Sequence, residues 1–190
     1  PVIEGKQIDA FRVAIGSSRL VVRPSAAANR RIPRRARLAY RDVASATNRL
    51  TLIAAIIPAR AVTTHTLFCL RTPLPLATQR VLCALLNSYV ANYVIRLRVN
   101  THVTVSLVSR LPVPVVHPGN PLFTRLERCA ETLARGNDPV EEMEEYAEIQ
   151  AIAAHLYRLT PAQFGHVLST FPLVPSEVRE HAFERFINLH

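Results

Sequence analysis

The side chains best suited to chemistry in this sequence are hydrogen-bonding groups that follow an apolar run. The segment RVNTHVTVSLVSRLPVP, residues 98–114, sets Asn100, Thr101 and His102 among valines. Amide, hydroxyl and imidazole groups donate and accept hydrogen bonds, and these residue types contact phosphates and base edges in nucleic acids. TTHT at 63–66 has a similar composition. Each segment is either a buried polar turn or a surface that recognises a hydrogen-bonding partner.

Arginine is the second chemistry-bearing residue type, and it is concentrated in RPSAAANRRIPRRARLAYR, residues 23–41. Six guanidinium groups fall within residues 30–41, and they would repel each other unless a polyanion or an acidic partner neutralised them. The planar fork of arginine also reaches guanine O6 and N7 in the major groove. We therefore expect this loop to contact DNA, with an ordinary solvated loop as the alternative.

Charge is divided unevenly along the chain, whose formal net charge is +9. Residues 1–110 contain 17 Lys and Arg against three acids, a balance of +14, whereas residues 111–190 contain six Arg against 11 acids, a balance of −5. Three acids cannot pair with 17 cations, so the sequence predicts one contiguous basic face that meets a polyanion. We expect the 30–41 loop, Arg49, Arg60, Arg96 and Arg98 to form it. A merely arginine-rich surface is the alternative.

Signatures of catalysis are missing from the sequence. It contains no GxSxG, no glycine-rich phosphate loop and no HExxH. His65 and Cys69 would lie about 13 Å apart along a strand, too far to share a metal ion. IEGK has the Glu-x-Lys half of a magnesium nuclease site, but only three residues precede Glu4, so the upstream Asp is missing. We expect neither a metal site nor catalysis by this chain alone.

The elements that must position these groups are strands in the first half. Residues 8–15 and 19–23 predict a strand pair, and the β-branched runs at 50–58 and 61–70 predict a hairpin around Pro58-Ala59-Arg60. A helix is predicted over 78–98, with Ser88, Asn92 and Arg96 on one face. That face is either an exposed stripe of the helix or a DNA-contacting surface. The periodicity of 103–108 fits a strand and a short helix equally.

The second half is predicted to be helical. Prolines between residues 111 and 121 exclude regular helix there, and capping and apolar patterns predict helices over 122–135, 139–159, 160–170 and 176–187. The sequence thus predicts an α+β fold, with a twisted antiparallel sheet and a packed helix followed by a small all-helical part. We expect a basic, β-rich domain over 1–114 and an acidic, helical subdomain over 115–190.

Cysteine usage and hydropathy indicate the compartment. Cys69, Cys83 and Cys129 lie far apart in apolar sequence and predict buried, reduced thiols, hence the cytoplasm. The longest apolar stretch, 81–95, is too short and too polar to span a bilayer, which needs about 20 apolar residues. Because the chain opens at PVIEGK with neither Met nor a leader, we expect it to be a fragment of a longer protein.

Four segments, in order, resemble a known family. They are EGKQIDAF, YRDVASATNRLTLIAAIIPARAVTTHTLF, LCALLNSYVANYVIRLRVNTHVTVSLVSRLPVP and the tail IQAIAAHLYRLTPAQFGHVLSTFPLV. The first three resemble the C-terminal region of bacterial adenine-specific DNA methylases of type II restriction–modification systems, the TaqI-like specificity domain that also occurs in fused type IIG enzymes. The tail resembles that family's segment beyond the specificity domain. LLNS followed about 25 residues later by LPVP is the most recognisable pairing. The family usually has a Tyr-Gly-Leu-Thr turn where this chain has Arg158 in place of glycine.

The resemblance implies a role in choosing the DNA sequence to be methylated. The family's Asn-Pro-Pro-Tyr loop and S-adenosylmethionine site lie upstream and are absent here, so this chain would bind double-stranded DNA without methylating it. S-adenosylmethionine is expected for the upstream domain of the same chain and no cofactor for this segment. A protein–protein scaffold, whose acidic half docks another subunit, is the alternative function.

These inferences give one set of expected DNA-contacting residues. They are Arg30, Arg31, Arg34, Arg35, Arg37, Arg41, Arg49, Arg60, His65, Ser88, Asn92, Arg96, Arg98, Asn100, Thr101 and His102.

Overall fold

A three-stranded antiparallel sheet lies at the centre of the first half of the chain. The computed structural model describes residues 1–22, 32–44 and 47–189, and in it strand β4 Arg37–Arg41 lies between β5 Ala54–Ile57 and β7 Leu67–Cys69. Side chains alternate across the central strand: Leu38 joins the main hydrophobic cluster, and Ala39 joins a second, smaller one under the other face.

Four short strands complete the N-terminal half. β1 Val2–Ile3 pairs in parallel with β6 Val62–Thr63, and β2 Ile8–Asp9 pairs with β3 Arg12–Val13 in an antiparallel hairpin. The predicted pairing of 8–15 with 19–23 is therefore wrong. The chain turns back within residues 8–13, where Phe11 adopts a φ of 67° and its N–H donates to the Ala54 carbonyl at 2.9 Å.

The predicted hairpin around Pro58-Ala59-Arg60 is also wrong. β5 pairs with β4 and β6 pairs with β1, so the two runs leave the turn for different sheets. β4 lies between β5 and β7 and takes the place that a hairpin partner would have. An alternating apolar pattern identifies a strand and its buried face, but it is equally satisfied by several partners.

Seven helices follow the strands within the described residues, and the predicted α+β fold with a helical C-terminal part is confirmed. The helix predicted over 78–98 is in fact two helices, broken at Asn87 and Ser88, and residues 105–108 form one helical turn. The seven are α1 Leu76–Leu86, α2 Tyr89–Arg96, α3 Val105–Val108, α4 Pro121–Arg135, α5 Glu144–Leu156, α6 Pro161–Ser169 and α7 Ser176–Ile187.

Side-chain caps begin two of the C-terminal helices, whereas α7 begins at Ser176 without a side-chain cap. Asn120 accepts from the Leu122 N–H at 2.9 Å at the start of α4, and Thr160 and Gln163 form a capping box at the start of α6. Residues 140–142 form a 3-10 turn before α5, so the helix predicted from 139 begins later. Local caps explain why these boundaries could be predicted.

One hydrophobic cluster joins the two predicted domains. Leu85 of α1 and Tyr89 of α2 share it with Leu126 of α4 and Ile152 of α5, all at or near zero exposure. Arg80 of α1 also donates to Glu127 and Glu131 of α4, at 2.5 and 2.7 Å respectively, so ion pairs as well as apolar contacts join the two regions. Among the residues described here, no helix is both long and apolar enough to cross a membrane.

The three cysteines are free thiols, as predicted. Cys83 and Cys129 are buried and Cys69 is half-buried. Burial raises the pKa of Cys83 to about 12 and that of Cys129 to about 11, so both thiols stay protonated and weakly nucleophilic at neutral pH.

The turn after α5 adopts the left-handed conformation that usually favours glycine. Arg158 has a φ of 57°, and its N–H donates to the His155 carbonyl at 2.8 Å. The turn therefore forms with arginine in place of glycine, at the expense of backbone strain.

Arg158→Gly is expected to keep or raise the free energy of unfolding. Release of left-handed strain, about 1–2 kcal/mol, matches or exceeds the entropic penalty of glycine, about 0.5–1 kcal/mol. Urea unfolding measures the difference, with Arg128→Gly on the exposed face of α4 as the control, since glycine inside a helix lowers stability by about 1 kcal/mol. Equal losses of stability in the two variants would show that Arg158 is not strained.

Candidate nucleic-acid interface

Arginines from three separate segments meet at one end of the central sheet. Three contacts bring the segments together: the Arg60 N–H donates to the Pro33 carbonyl at 2.7 Å, Arg37 Nη2 to the Ala61 carbonyl at 2.8 Å, and the Leu70 N–H to the Leu38 carbonyl at 2.8 Å. We call this region the arginine end of the sheet. Its cations are Arg34, Arg35, Arg37, Arg60 and Arg71.

The arginine end is open to solvent. Arg34, Arg35, Arg60 and Arg71 are exposed, and Arg37 is half-buried. Across residues 1–22, 32–44 and 47–189, the ion pairs involve none of these five arginines. The uncompensated positive charge leaves these groups available to an anionic partner.

The arginine end differs from the predicted loop in its membership. Arg30 and Arg31, which the sequence predicts to contact DNA, lie outside the described residues. Arg71 is absent from the predicted set, because its place depends on β7 running antiparallel to β4, which returns the chain to the start of β4. Correct strand pairing would have revealed it.

The opposite end of β4 carries the polar turn, residues 98–102. Its Thr101 carbonyl accepts from the Ala44 N–H at 3.1 Å, and the Val103 N–H donates to the Asp42 carbonyl at 2.7 Å. Arg98, Asn100, Thr101 and His102 are all exposed. Of the two interpretations of this segment, the structure excludes the buried polar turn.

Arg41 and His65 lie at the same end as the polar turn. Arg41 is half-buried at the last position of β4, and the Asp42 N–H donates to the Thr66 carbonyl at 3.0 Å, which brings the exposed His65 close to this end. Arg37 and Arg41 are four residues apart on β4, so their Cα atoms are separated by about 13 Å at the usual rise of a strand. That distance is comparable with the length of about four successive phosphates along one DNA strand.

The prediction that Ser88 and Asn92 contact DNA is wrong, since both are fully buried. The Ser88 hydroxyl donates to the Leu85 carbonyl at 2.7 Å and accepts from the Ala91 N–H at 3.2 Å, which breaks one helix and caps the next. The Asn92 Oδ1 accepts from two backbone N–H groups, those of Thr51 and Leu52, at 2.9 and 2.8 Å. These side chains bind the protein's own backbone.

Two more side-chain amides, Gln79 in α1 and Asn87 just after it, also bind backbone groups. Asn87 accepts from the Ala54 N–H and donates to the Ala54 carbonyl, each at 2.9 Å, and Gln79 Oε1 accepts from the Leu38 N–H at 2.7 Å. All three amides are buried. We call Gln79, Asn87 and Asn92 the amide clamp, because it fixes segment 51–54 and strand β4 to the helices. The Asn-Ser of LLNS is therefore structural.

Arg96 is also directed inward, which corrects its assignment to the basic face. Its guanidinium donates to Thr51 Oγ1 at 3.1 Å, to the Thr170 carbonyl at 2.9 Å and to the Arg49 carbonyl at 2.8 Å, and it lies 4.0 Å from the centre of the Phe171 ring. Burial lowers the pKa of Arg96 from its ordinary value.

Arg49 is partly neutralised. Its guanidinium forms an ion pair with Glu141. With Arg49 and Arg96 both bound within the protein, the single basic face predicted for the 30–41 loop, Arg49, Arg60, Arg96 and Arg98 is reduced to the two ends of β4. Among the predicted cations, Arg34, Arg35, Arg60 and Arg98 remain exposed and outside the ion pairs of the described residues.

A cavity of about 580 Å³ lies between the β2–β3 hairpin, segment 49–53 and the start of α7. Its lining mixes apolar side chains with two arginines and four carboxylates, namely Arg12, Arg49, Asp9, Glu141, Glu142 and Glu177. Arg12 is held by the Leu133 and Asp138 carbonyls, at 2.8 and 2.6 Å. Over the part of the chain that the structure describes, no three His, Cys, Asp or Glu residues are grouped to hold a metal ion.

Comparison with known proteins assigns no family. No protein-family model matches the chain, and a search of curated proteins finds no match. The resemblance to adenine-specific DNA methylases therefore stays a prediction from sequence patterns.

Asn92→Ala is expected to lower the free energy of unfolding by about 2–4 kcal/mol, because it removes the acceptor of two buried backbone N–H groups. Urea unfolding measures the decrease. The matched control is Asn100→Ala in the exposed polar turn, which is expected to change stability by no more than about 0.5 kcal/mol. Similar small effects in both variants would contradict the amide clamp.

Proposed function

We propose that this chain binds double-stranded DNA through the two ends of β4, as the target-recognition region of an N6-adenine DNA methyltransferase or a related restriction–modification enzyme. The observation that carries the proposal is the arginine end, where exposed guanidinium groups from three segments converge and form no ion pair with a described residue. The polar turn at the other end of the same strand supplies groups suited to base recognition.

Electrostatics favour a polyanion over a single acidic protein side chain. Of the 17 cations in residues 1–110, only Lys6, Arg49 and Arg80 form ion pairs within the described part of the chain. Duplex DNA presents a negative charge about every 1.7 Å along its axis, so several exposed arginines are neutralised at once. This attraction acts on any DNA sequence and sets the register of the protein on the duplex.

Discrimination between sequences requires groups that are held still. Asn100, Thr101 and His102 lie shortly after α2, and backbone hydrogen bonds at Thr101 and Val103 join this turn to residues 42–44 beyond β4. A donor or acceptor fixed in this way loses little entropy on binding, so its preference for one base edge is preserved.

Methyl transfer is not assigned to this chain. The resemblance attributes S-adenosylmethionine binding to an upstream domain, and the residues described above support binding and positioning alone. A DNA partner and free thiols favour the cytoplasm as the site of action.

Arg34→Ala/Arg35→Ala is expected to weaken DNA binding about equally for all sequences. Because fewer phosphates are then neutralised, the slope of log affinity against log salt should also fall by about 0.9 for each phosphate concerned. Fluorescence anisotropy over a salt series, with the full-length protein, measures both quantities. Arg128→Ala/Arg135→Ala on α4 removes the same charge from exposed positions and should leave the slope unchanged. Unchanged affinity and slope in Arg34→Ala/Arg35→Ala would show that the arginine end contacts no phosphate, and absence of DNA binding at low salt would favour the protein–protein scaffold.

Asn100→Ala/Thr101→Ala is expected to leave the salt slope nearly unchanged and to reduce discrimination between the target and single mismatches. Removing a side chain that binds a base edge should lower this discrimination by about 1–3 kcal/mol. Binding of the full-length protein to the target and to each mismatched duplex measures it. A uniform decrease in affinity with a lower salt slope would show that the polar turn contacts phosphates.

A further inference from the structure

Val43 and His102 are directly opposed at the end of β4. They form an antiparallel bridge, and the two backbone hydrogen bonds that hold it, Ala44 N–H to Thr101 and Val103 N–H to Asp42, lie on either side of the pair. The pair itself therefore exchanges no hydrogen bond. In such pairs the Cα atoms are about 4.5 Å apart and the two side chains lie together on one face.

Both side chains of this pair are open to solvent. Val43 is 58% exposed, and the His102 side chain is 54% exposed. A single exposed valine is ordinary on a protein surface. Here, however, it lies beside an imidazole that a neighbouring carboxylate holds in place.

Asp42 determines what the imidazole offers to a partner. Its Oδ2 lies 3.1 Å from His102 Nδ1. An ionised carboxylate can only accept, so Nδ1 carries the proton of the neutral ring. Nε2, on the far side of the ring, is then a hydrogen-bond acceptor.

A hydrogen-bond acceptor beside the two methyl groups of a valine matches the groups that one kind of base pair presents in the major groove. An acceptor requires an amino donor, which only adenine N6 or cytosine N4 supplies, and the apolar surface matches the 5-methyl group that only thymine has among the four bases. The A·T pair alone combines an amino group with a methyl group on its major-groove edge.

We propose that Val43 and His102 recognise one A·T base pair in the major groove, with His102 Nε2 accepting from the adenine 6-amino group and Val43 contacting the thymine 5-methyl group. Val43 was not among the residues that the sequence indicated. The inference rests on the proposed DNA binding and specifies which groups of the target this pair contacts.

The experiment uses the full-length protein and the duplex that it selects from a random-sequence pool. Each thymine of that duplex is replaced in turn by uracil, and each adenine by purine, which lacks the 6-amino group. At one A·T pair we expect uracil to weaken binding about fourfold, the effect of one buried methyl group. Purine at the same pair should weaken it about two- to tenfold, the effect of one hydrogen bond.

The variants separate the two contacts. Val43→Ala should abolish the sensitivity to uracil and keep the sensitivity to purine, and His102→Ala should show the reverse. Val105→Ala, a valine 55% exposed in α3 and outside the bridge, is the matched control and should keep both. Circular dichroism of each variant verifies that the fold is retained.

Two results would overturn the inference in distinguishable ways. Tight, salt-dependent DNA binding that is indifferent to uracil and purine at every position would refute the A·T contact and leave the proposed function standing. Absence of DNA binding at low salt would remove both.

Discussion

The structure depends on buried amides that replace a missing strand. Segment 51–54 has backbone groups that a sheet leaves unpaired, and Asn87 and Asn92 bind them with hydrogen bonds of 2.8 to 3.2 Å. A buried N–H or C=O without a partner costs about 1–3 kcal/mol, so the amides stabilise an arrangement that would otherwise be unfavourable. With 51–54 fixed, β5 is aligned beside β4, and Gln79 anchors β4 to α1. The helices thereby fix the position of β4, and with it the positions of both of its ends.

This constraint explains how one strand can present two kinds of chemistry. The start of β4 meets the turn after β5 and the end of β7, so cations separated by up to 37 positions in the chain, from Arg34 to Arg71, gather there. The other end meets the chain as it leaves α2, which places hydrogen-bonding groups beside Asp42. A rigid strand of five residues keeps the two sets at a fixed spacing. Fixed spacing is what a surface needs if charge is to set the register in which other groups meet the bases.

The elements that could be predicted from the sequence are those whose determining contacts are local. The cap at Thr160 identifies its helix because cap and helix are adjacent in the chain. The pairing of the strands could not be predicted, because the alternation of apolar residues does not specify which strand lies beside which. Periodicity groups Ser88, Asn92 and Arg96, but it predicts that they form an exposed stripe or a DNA-contacting surface, whereas Ser88 and Asn92 are buried. Periodicity cannot show that this face covers a backbone segment about 40 residues earlier that needs hydrogen-bond partners.

The number of arginines in the sequence predicts a larger basic surface than the structure has, and the reason is chemical. A guanidinium carries five N–H donors and binds whatever acceptors surround it. Arg96 lies among backbone carbonyls, a hydroxyl and an aromatic ring, so its donors are used inside the protein. Arg34 and Arg35 lie where no carboxylate of the described residues pairs with them, so their donors remain available. The position of each arginine relative to acceptors of its own chain, which the strand order decides, therefore determines which cations can meet a phosphate.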